Sequence, residues 1–463
     1  MSPASSVATP PATEDLSFAD QRHHWHGFTQ MATYDSLLIE RAEGCWLTTV
    51  DGRRLLDGVS SLWCNIHGHR HPRIDAAIRE QLERVAHVTN IGMGCTTTAK
   101  LAKRLADLAP GDLDHVFFSS DGASAVEVAI KMSLQYWRQC GASHGEHKSK
   151  YLALGSAYHG DTVGTVSLGD IAHFHRLFEP LLFSSLRGPC PDVNQLPPDI
   201  AALEALAHYT GQFEALFKKH HAQLAALVIE PLVQGAAGLV MHPSGLLSRL
   251  REMCDRYDVL MIADEVATGF GRTGRMFACE HEGVVPDFLC LGKGLTGGYL
   301  PMAATIATTK VFDAFQGDRT SGRQFFHGHT YSGNPLASAA ALASLDLFDE
   351  EAVLSHLPAK AARVASNLRS LVSHPHVKNV RQIGLMVGIE LVSDKERNMP
   401  FDTSFMVGRK VCEMATVNGV WIRPLGDVVI LMPPLSISDE ELDLLTSVTT
   451  AAIESVTASL DLQ

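Results

Sequence analysis

Lys293 is the residue of this chain best suited to covalent chemistry. It follows the apolar run Phe288-Leu289-Cys290-Leu291 directly and stands between Gly292 and Gly294. Lysine is seldom buried without a partner or a purpose. Desolvation lowers its pKa toward the free amine that attacks a carbonyl. Upstream, Asp264 closes a second apolar run, Val259 to Asp264. In open α/β sheets ligands bind beyond the carboxyl ends of the strands, so this carboxylate is placed to meet one; a helix cap or a buried ion pair is the plainer reading. Ser119-Ser120-Asp121-Gly122-Ala123-Ser124 lies between a strand-like run and a helical stretch. The free N–H groups of Gly122 and Ala123 at such a helix start can hold an anion, although Asp121 or Ser120 can cap the helix with no ligand at all. Tyr158 follows another strand-like run, where an aromatic can stack on a planar ring or simply fill the core. Phe326-His327-Gly328-His329-Thr330-Tyr331 is a polar loop, and Arg423 is a cation able to hold a carboxylate bidentately or to sit in a surface ion pair.

These groups need strands to carry them. The runs His115–Phe118, Tyr151–Leu154, Ala225–Glu230, Val259–Asp264, Phe288–Leu291 and Met302–Thr308 are almost continuously apolar. That is the signature of strands buried on both faces. Ala123–Arg138 and Leu246–Tyr257 carry apolar residues at helical spacing, so the middle of the chain reads as α/β. Residues 37–66 predict a hairpin turning at Asp51-Gly52. Gly384–Leu391 and Trp421–Met432 predict one strand each, and a last helix starts at Ser438. We expect a tail over 1–16, an N-terminal segment over 17–70 that joins a small α+β domain, a large α/β domain over 71–335, and the rest of the small domain over 336–463.

Composition removes several classes. The 463 residues are 46% hydrophobic and 19% charged, with a net charge of −13. That balance is globular, and the acidic charge gives no general pull toward nucleic acid or anionic lipid. Nine cysteines without a C-x-x-C pair fit neither a zinc pattern nor a disulfide framework. No apolar run is long enough for a membrane helix, and the Ser-, Pro-, Ala- and Thr-rich start lacks the marks of a targeting signal, so a cytoplasmic protein is expected. His67-Gly68-His69-Arg70-His71 is dense in histidine but lacks a ligand spacing, and we expect no metal. Gly269–Gly274 and Gly292–Gly297 both match G-x-G-x-x-G, yet neither runs into a helix, which argues against dinucleotide binding.

A buried lysine, a strand-end acid, an anion site and a flat side chain together are what pyridoxal phosphate requires. The stretch Asp264-Glu265-Val266-Ala267-Thr268-Gly269-Phe270-Gly271-Arg272-Thr273-Gly274, with Gly292-Lys293, resembles the class III (ω-type) aminotransferases. So do Asp51–Gly58, Ser60–Trp63, Val126–Met132, Tyr158–Thr162 and Arg423–Gly426. The resemblance implies a pyridoxal-phosphate transferase of fold type I, with a mostly parallel seven-stranded sheet, and a homodimer with shared active sites.

By the same resemblance Lys293 would bind the aldehyde and then act as acid and base. Asp264 would pair with the ring nitrogen, and Tyr158 would stack on the ring. Gly122 and Ala123 would hold the phosphate, with Thr330 reaching it from the partner subunit, and His329 would also bind the cofactor. Glu230, Gln234 and Val266 would line the cofactor. Phe28, Leu62, Trp63, Tyr158, Lys293, Gly328 and Arg423 would bind substrate, and Asp427 could offset Arg423 or meet a donor ammonium. Within the class the chain looks like the branch that aminates 8-amino-7-oxononanoate in biotin synthesis, using S-adenosylmethionine or lysine. An ω-amino acid:pyruvate enzyme is the alternative. A silent relative that kept the fold is a third reading, against which the intact pair of Lys293 and Asp264 speaks.

Overall fold

The computed structural model describes residues 13–141 and 145–460. Its centre is a seven-stranded sheet in the order Leu113–Ser119, Ala303–Thr308, Phe288–Leu291, Leu260–Asp264, Leu224–Ile229, Lys150–Ala153, Leu186–Arg187. Only Ala303–Thr308 runs antiparallel; the other strands are parallel to one another. Every residue of Leu224–Ile229, Leu260–Asp264, Phe288–Leu291 and Ala303–Thr308 is buried, which is why these segments are apolar without alternation. The six expected strands all form. Leu186–Arg187 is an added edge strand that sequence does not betray: it is two residues long and half-buried.

Helices cover the sheet. Gly122–Gln139 buries Val126, Ala129, Ile130 and Trp137 at helical spacing. Leu246–Arg256 buries Leu246, Leu250 and Met253 in the same way. Residues 269–274 form turns, and Lys293–Thr296 is a single 3₁₀ turn. Neither glycine motif opens an α-helix, as dinucleotide binding would need.

Both chain ends meet in smaller sheets. Ile39–Glu43, Trp46–Thr49 and Arg54–Asp57 pair antiparallel, and Val420–Trp421 joins Arg54–Asp57 in parallel. A second sheet has the order Val377–Ile383, Met386–Leu391, Val428–Leu431, Arg423–Leu425. Gly58 O accepts from Met432 N at 2.8 Å, stitching the two regions together. On these grounds we propose the division at about residues 70 and 335. Asp439–Leu460 is the last helix among the described residues, with Asp439, Glu440 and Glu441 in its first turn, where acids suit the helix dipole.

Two expectations need correction. The tail expected over 1–16 overlaps a helix spanning Thr13–His23, whose last turn carries Arg22 and His23, the charge a helix C-terminus favours; residues 1–12 lie outside the described residues. The single strand expected over Trp421–Met432 is a hairpin. Gly426 adopts φ +58°, a left-handed conformation that glycine enters without steric cost. The chain reverses there, so Arg423 pairs with Ile430.

Candidate active site

The strand Leu260–Asp264 delivers Asp264 at its carboxyl end, and the neighbouring strand Phe288–Leu291 delivers Lys293 two residues past its own end. Asp264 is held from two sides. His159 donates from Nδ1 to Oδ2 at 2.8 Å, and the Val266 N–H donates to Oδ1 at 3.1 Å. Both residues of the His159–Asp264 pair are buried, so the carboxylate is fixed in direction and shielded from water.

The next residue shows how strand alternation divides the work. The Glu265 carboxylate accepts from Ala278 N at 2.6 Å, Cys279 N at 2.8 Å and Thr268 Oγ1 at 3.3 Å. It clamps a loop, and burial pushes its pKa up to about 7.

Lys293 has φ +40°, a left-handed value that a side-chain-bearing residue adopts only where its surroundings impose it. Its Nζ lies 4.9 Å from the centre of the Trp63 ring, within cation–π range. Burial pushes the ammonium pKa down; the charges of Asp264 and Glu230 oppose that shift. The balance favours a lysine that can release its proton. Glu230 is buried and accepts from Tyr158 N at 3.2 Å and Gly235 N at 2.8 Å. Burial pushes its carboxyl up to about 7, a shift the Asp264 charge reinforces and His159 opposes.

The start of the helix Gly122–Gln139 abuts this centre. The Asp121 side chain accepts from Ser124 N at 2.8 Å. The plain capping interaction therefore exists, but it uses the third N–H. The N–H groups of Gly122 and Ala123 have no acceptor among the described residues. A Cβ on Gly122 would sit 2.5 Å from Val266 Cγ1, and a Cβ on Gly292 would sit 3.4 Å from Gly122 Cα. Backbone alone fits between these elements. His329 reaches the same corner, with Nδ1 3.3 Å from Ser120 Oγ.

Tyr158 donates its hydroxyl to Asp161 Oδ2 at 2.8 Å, and its ring lies parallel to His175 at 6.2 Å. Burial, with the Asp161 contact second, pushes its hydroxyl pKa up. Phe174 stands edge-on to Tyr158 at 6.4 Å and to Phe28 at 5.1 Å. Trp63 closes a short segment in which Ser60, Ser61 and Trp63 all have positive φ. Asp57 holds that segment by accepting from Val59 N at 3.3 Å and Ser61 N at 2.8 Å.

Lys293, Asp264, Glu230, Trp63, Tyr158, Gly122, Ala123 and Val266 thus lie around one centre. Gln234 is buried nearby, but its amide donates to Gly155 O at 2.9 Å and its oxygen accepts from Cys190 Sγ at 3.7 Å. Phe28, Leu62, Gly328, Thr330 and Arg423 are exposed within the chain. Arg423 makes no ion pair among the described residues, Asp427 included, and the Asp427 carboxylate accepts from Gly408 N at 2.8 Å.

The three clustered histidines go separate ways. His67 contacts Ser344 O, His69 contacts Asp57, and His71 contacts Glu351. Sequence reasoning missed His159 as the partner of Asp264. The only available signal was a histidine just past a strand, beside Tyr158.

Comparison with known proteins covers most of the chain. Residues 29–453 fit the family model described as aminotransferase class-III. The chain belongs to the class-III aminotransferases. A relative from Nitratidesulfovibrio vulgaris, named adenosylmethionine-8-amino-7-oxononanoate aminotransferase, is 50% identical over 457 residues, covering 97% of this chain and 84% of its own. The crystal structure of the protein of that name from Methanocaldococcus jannaschii superposes with a TM-score of 0.90 at 40% identity, over 96% of this chain and 99% of that one. An amine transaminase from an uncultivated Pseudomonas species, solved in its PLP-bound form, gives a TM-score of 0.88 at 36% identity, over 94% and 99% of the two chains. Among the described residues of this class-III aminotransferase, no helix is long and apolar enough to cross a membrane.

Proposed function

We propose that this aminotransferase moves an amino group onto 8-amino-7-oxononanoate to give 7,8-diaminononanoate, with pyridoxal phosphate as cofactor. The observation that carries the substrate is the 50% identity, over 97% of the chain, to a relative named for that reaction. Overall shape does not decide it, since the amine transaminase superposes almost as well. Production of the diamine by the purified protein, with S-adenosylmethionine or lysine as donor, tests the reading. Turnover of ω-amino acids with pyruvate, and none with 8-amino-7-oxononanoate, would refute it and favour the alternative.

The residues fit the cofactor. Gly122 and Ala123 would hold its phosphate through their free N–H groups, helped by the positive end of the helix dipole. Asp264, aimed by His159, would face the ring nitrogen. Tyr158 and Val266 would flank the ring, and Glu230 and Gln234 would brace the walls. When bound, pyridoxal phosphate supplies an aldehyde for the amino group and a sink for electrons. Lys293 Nζ would take the proton from the donor's α-carbon and return it, because burial keeps the free amine within reach. The carboxylate of Asp264 would stabilise positive charge opposite it in a dry site, where such pairing is strong. Trp63 would keep water from Nζ. The two half-reactions share one site, so ping-pong kinetics are expected.

Gly122→Val should weaken retention of pyridoxal phosphate. Overpacking of this kind costs about 1–3 kcal/mol, and the added Cβ alone already meets Val266. Equilibrium dialysis reads the loss; an unchanged affinity would show that the cradle lies elsewhere. Arg423 is exposed and free to bind the oxo-acid carboxylate. Arg423→Gln should raise KM for the oxo acid by about tenfold or more with kcat nearly unchanged, given ~1.5–3 kcal/mol for a hydrogen bond to a charged group.

A homodimer is part of the proposal. Ile91, Met93, Phe326 and Tyr331 are large and exposed within one chain. Ile91, Met93, Gly328 and His329 line a common groove. Exposed apolar clusters of this kind mark contact surfaces. A second copy placed there would bring its own Thr330 loop toward the partner's phosphate site. A cytoplasmic location completes the reading.

A further inference from the structure

Three side chains near the N-terminus take no part in the chemistry above. Asp20 lies in the helix Thr13–His23, and His24 and His26 follow it. Asp20 Oδ1 is 3.1 Å from His24 Nδ1 and 3.0 Å from His26 Nε2. The three potential ligand atoms lie within 4.8 Å of one another, and the two imidazole centres are 4.0 Å apart.

The other carboxylate oxygen is already committed. Asp20 Oδ2 accepts from Tyr34 Oη at 3.0 Å and from Ser36 Oγ at 2.6 Å. The Tyr34 ring lies 4.5 Å from the His26 ring. Two hydroxyls therefore orient the carboxylate from behind, leaving Oδ1 and two imidazole nitrogens in front. Outer hydrogen bonds of this kind position metal ligands.

We propose that Asp20, His24 and His26 bind a divalent transition cation, best matched by Zn²⁺. Two imidazoles and one carboxylate suit such an ion, and three protein ligands leave a fourth position for water. Bonds of about 2.0–2.2 Å set tetrahedral ligand atoms roughly 3.3 Å apart. The two N–O separations here fall within a few tenths of an ångström of that. His24 is 66% exposed, which gives the ion a way in. The sequence leads us to expect no metal, although Asp20 and His24 stand at i and i+4; the set is completed only where the chain turns after His23 to bring His26 back onto Asp20.

The site has a structural consequence. Trp25 stands between the two ligating histidines and is 87% exposed; Phe28 follows and packs edge-on against Phe174. A bound cation would fix the segment carrying Trp25 and Phe28 beside the Tyr158 wall.

The test uses the full chain, loaded with pyridoxal phosphate and stripped of metal by a chelator. Zn²⁺ binding is followed by calorimetry. Co²⁺ is followed by its visible absorbance and by quenching of tryptophan fluorescence. The chain has 23 histidines, so comparison with variants decides. One saturable site per chain is expected. It should weaken by about 100-fold or more in Asp20→Asn and still more in the double variant His24→Gln/His26→Gln, since loss of an outer hydrogen-bond partner alone costs about 10–100-fold. Trp25→Phe should lose much of the Co²⁺ quenching and keep the affinity. Thermal melting of each variant checks that the fold persists. Absence of a saturable site, or equal affinity in parent and variants, would overturn the proposal and leave the cluster as a hydrogen-bonded clasp.

Discussion

Lys293→Ala should reduce multiple-turnover transamination by about 10⁴-fold or more while the protein stays folded. Acid–base catalysis by a positioned group contributes about 10²–10⁴ by itself, and the variant also loses the amine that would bond to the aldehyde. The fold should survive because Nζ makes no hydrogen bond to the protein among the described residues. Nζ lies over the face of Trp63. Loss of Nζ also relieves the cost of a buried ammonium, so no large fall in melting temperature is expected. Kinetics and a melting curve on the same sample check both halves. Turnover within tenfold of the parent would show that another group moves the proton.

The second large effect belongs to Asp264. Asp264→Asn preserves the shape and removes the negative charge. We expect kcat to fall by about 10²–10³-fold, the range for losing one preorganised electrostatic contact in a water-excluded site. A change of reactivity should accompany it. Asp264 raises the Lys293 pKa against the effect of burial. Without that charge the Lys293 pKa falls, so the free amine persists to lower pH. Labelling of Nζ by an acylating reagent in cofactor-free protein should then begin at lower pH in the variant. A profile that stays in place, with kcat within threefold, would mean that Asp264 acts on neither Lys293 nor the reacting centre.

His159 is a positioning residue in this scheme. It holds Asp264 from behind at 2.8 Å and is buried.

Lys293 and Asp264 were legible because of where they stand. A strand covered on both faces leaves a continuous apolar run, and the first charged residue after it is conspicuous. Gly122 and Ala123 were legible for a related reason, since a glycine between a strand and an amphipathic helix marks an exposed helix start.

His159 was not legible. Its partner Asp264 is distant in sequence, and one histidine beyond a strand has no periodic signature. Asp427 shows how little adjacency says about direction. It stands beside Arg423 in sequence, but the reversal at Gly426 turns its carboxylate to Gly408 N. The edge strand Leu186–Arg187 is too short to produce a pattern. Local chemistry survives in the sequence when a regular element frames it, and is lost when a turn or a distant partner supplies the frame.

The central claim is that these residues transfer an amino group to one particular oxo acid. A single half-reaction tests it most directly. The protein is converted to its pyridoxamine phosphate form, freed of donor, and mixed with 8-amino-7-oxononanoate while the absorbance is followed. The account predicts rapid return of the pyridoxal form and one equivalent of 7,8-diaminononanoate per active site. Return with pyruvate, and none with 8-amino-7-oxononanoate, would contradict it.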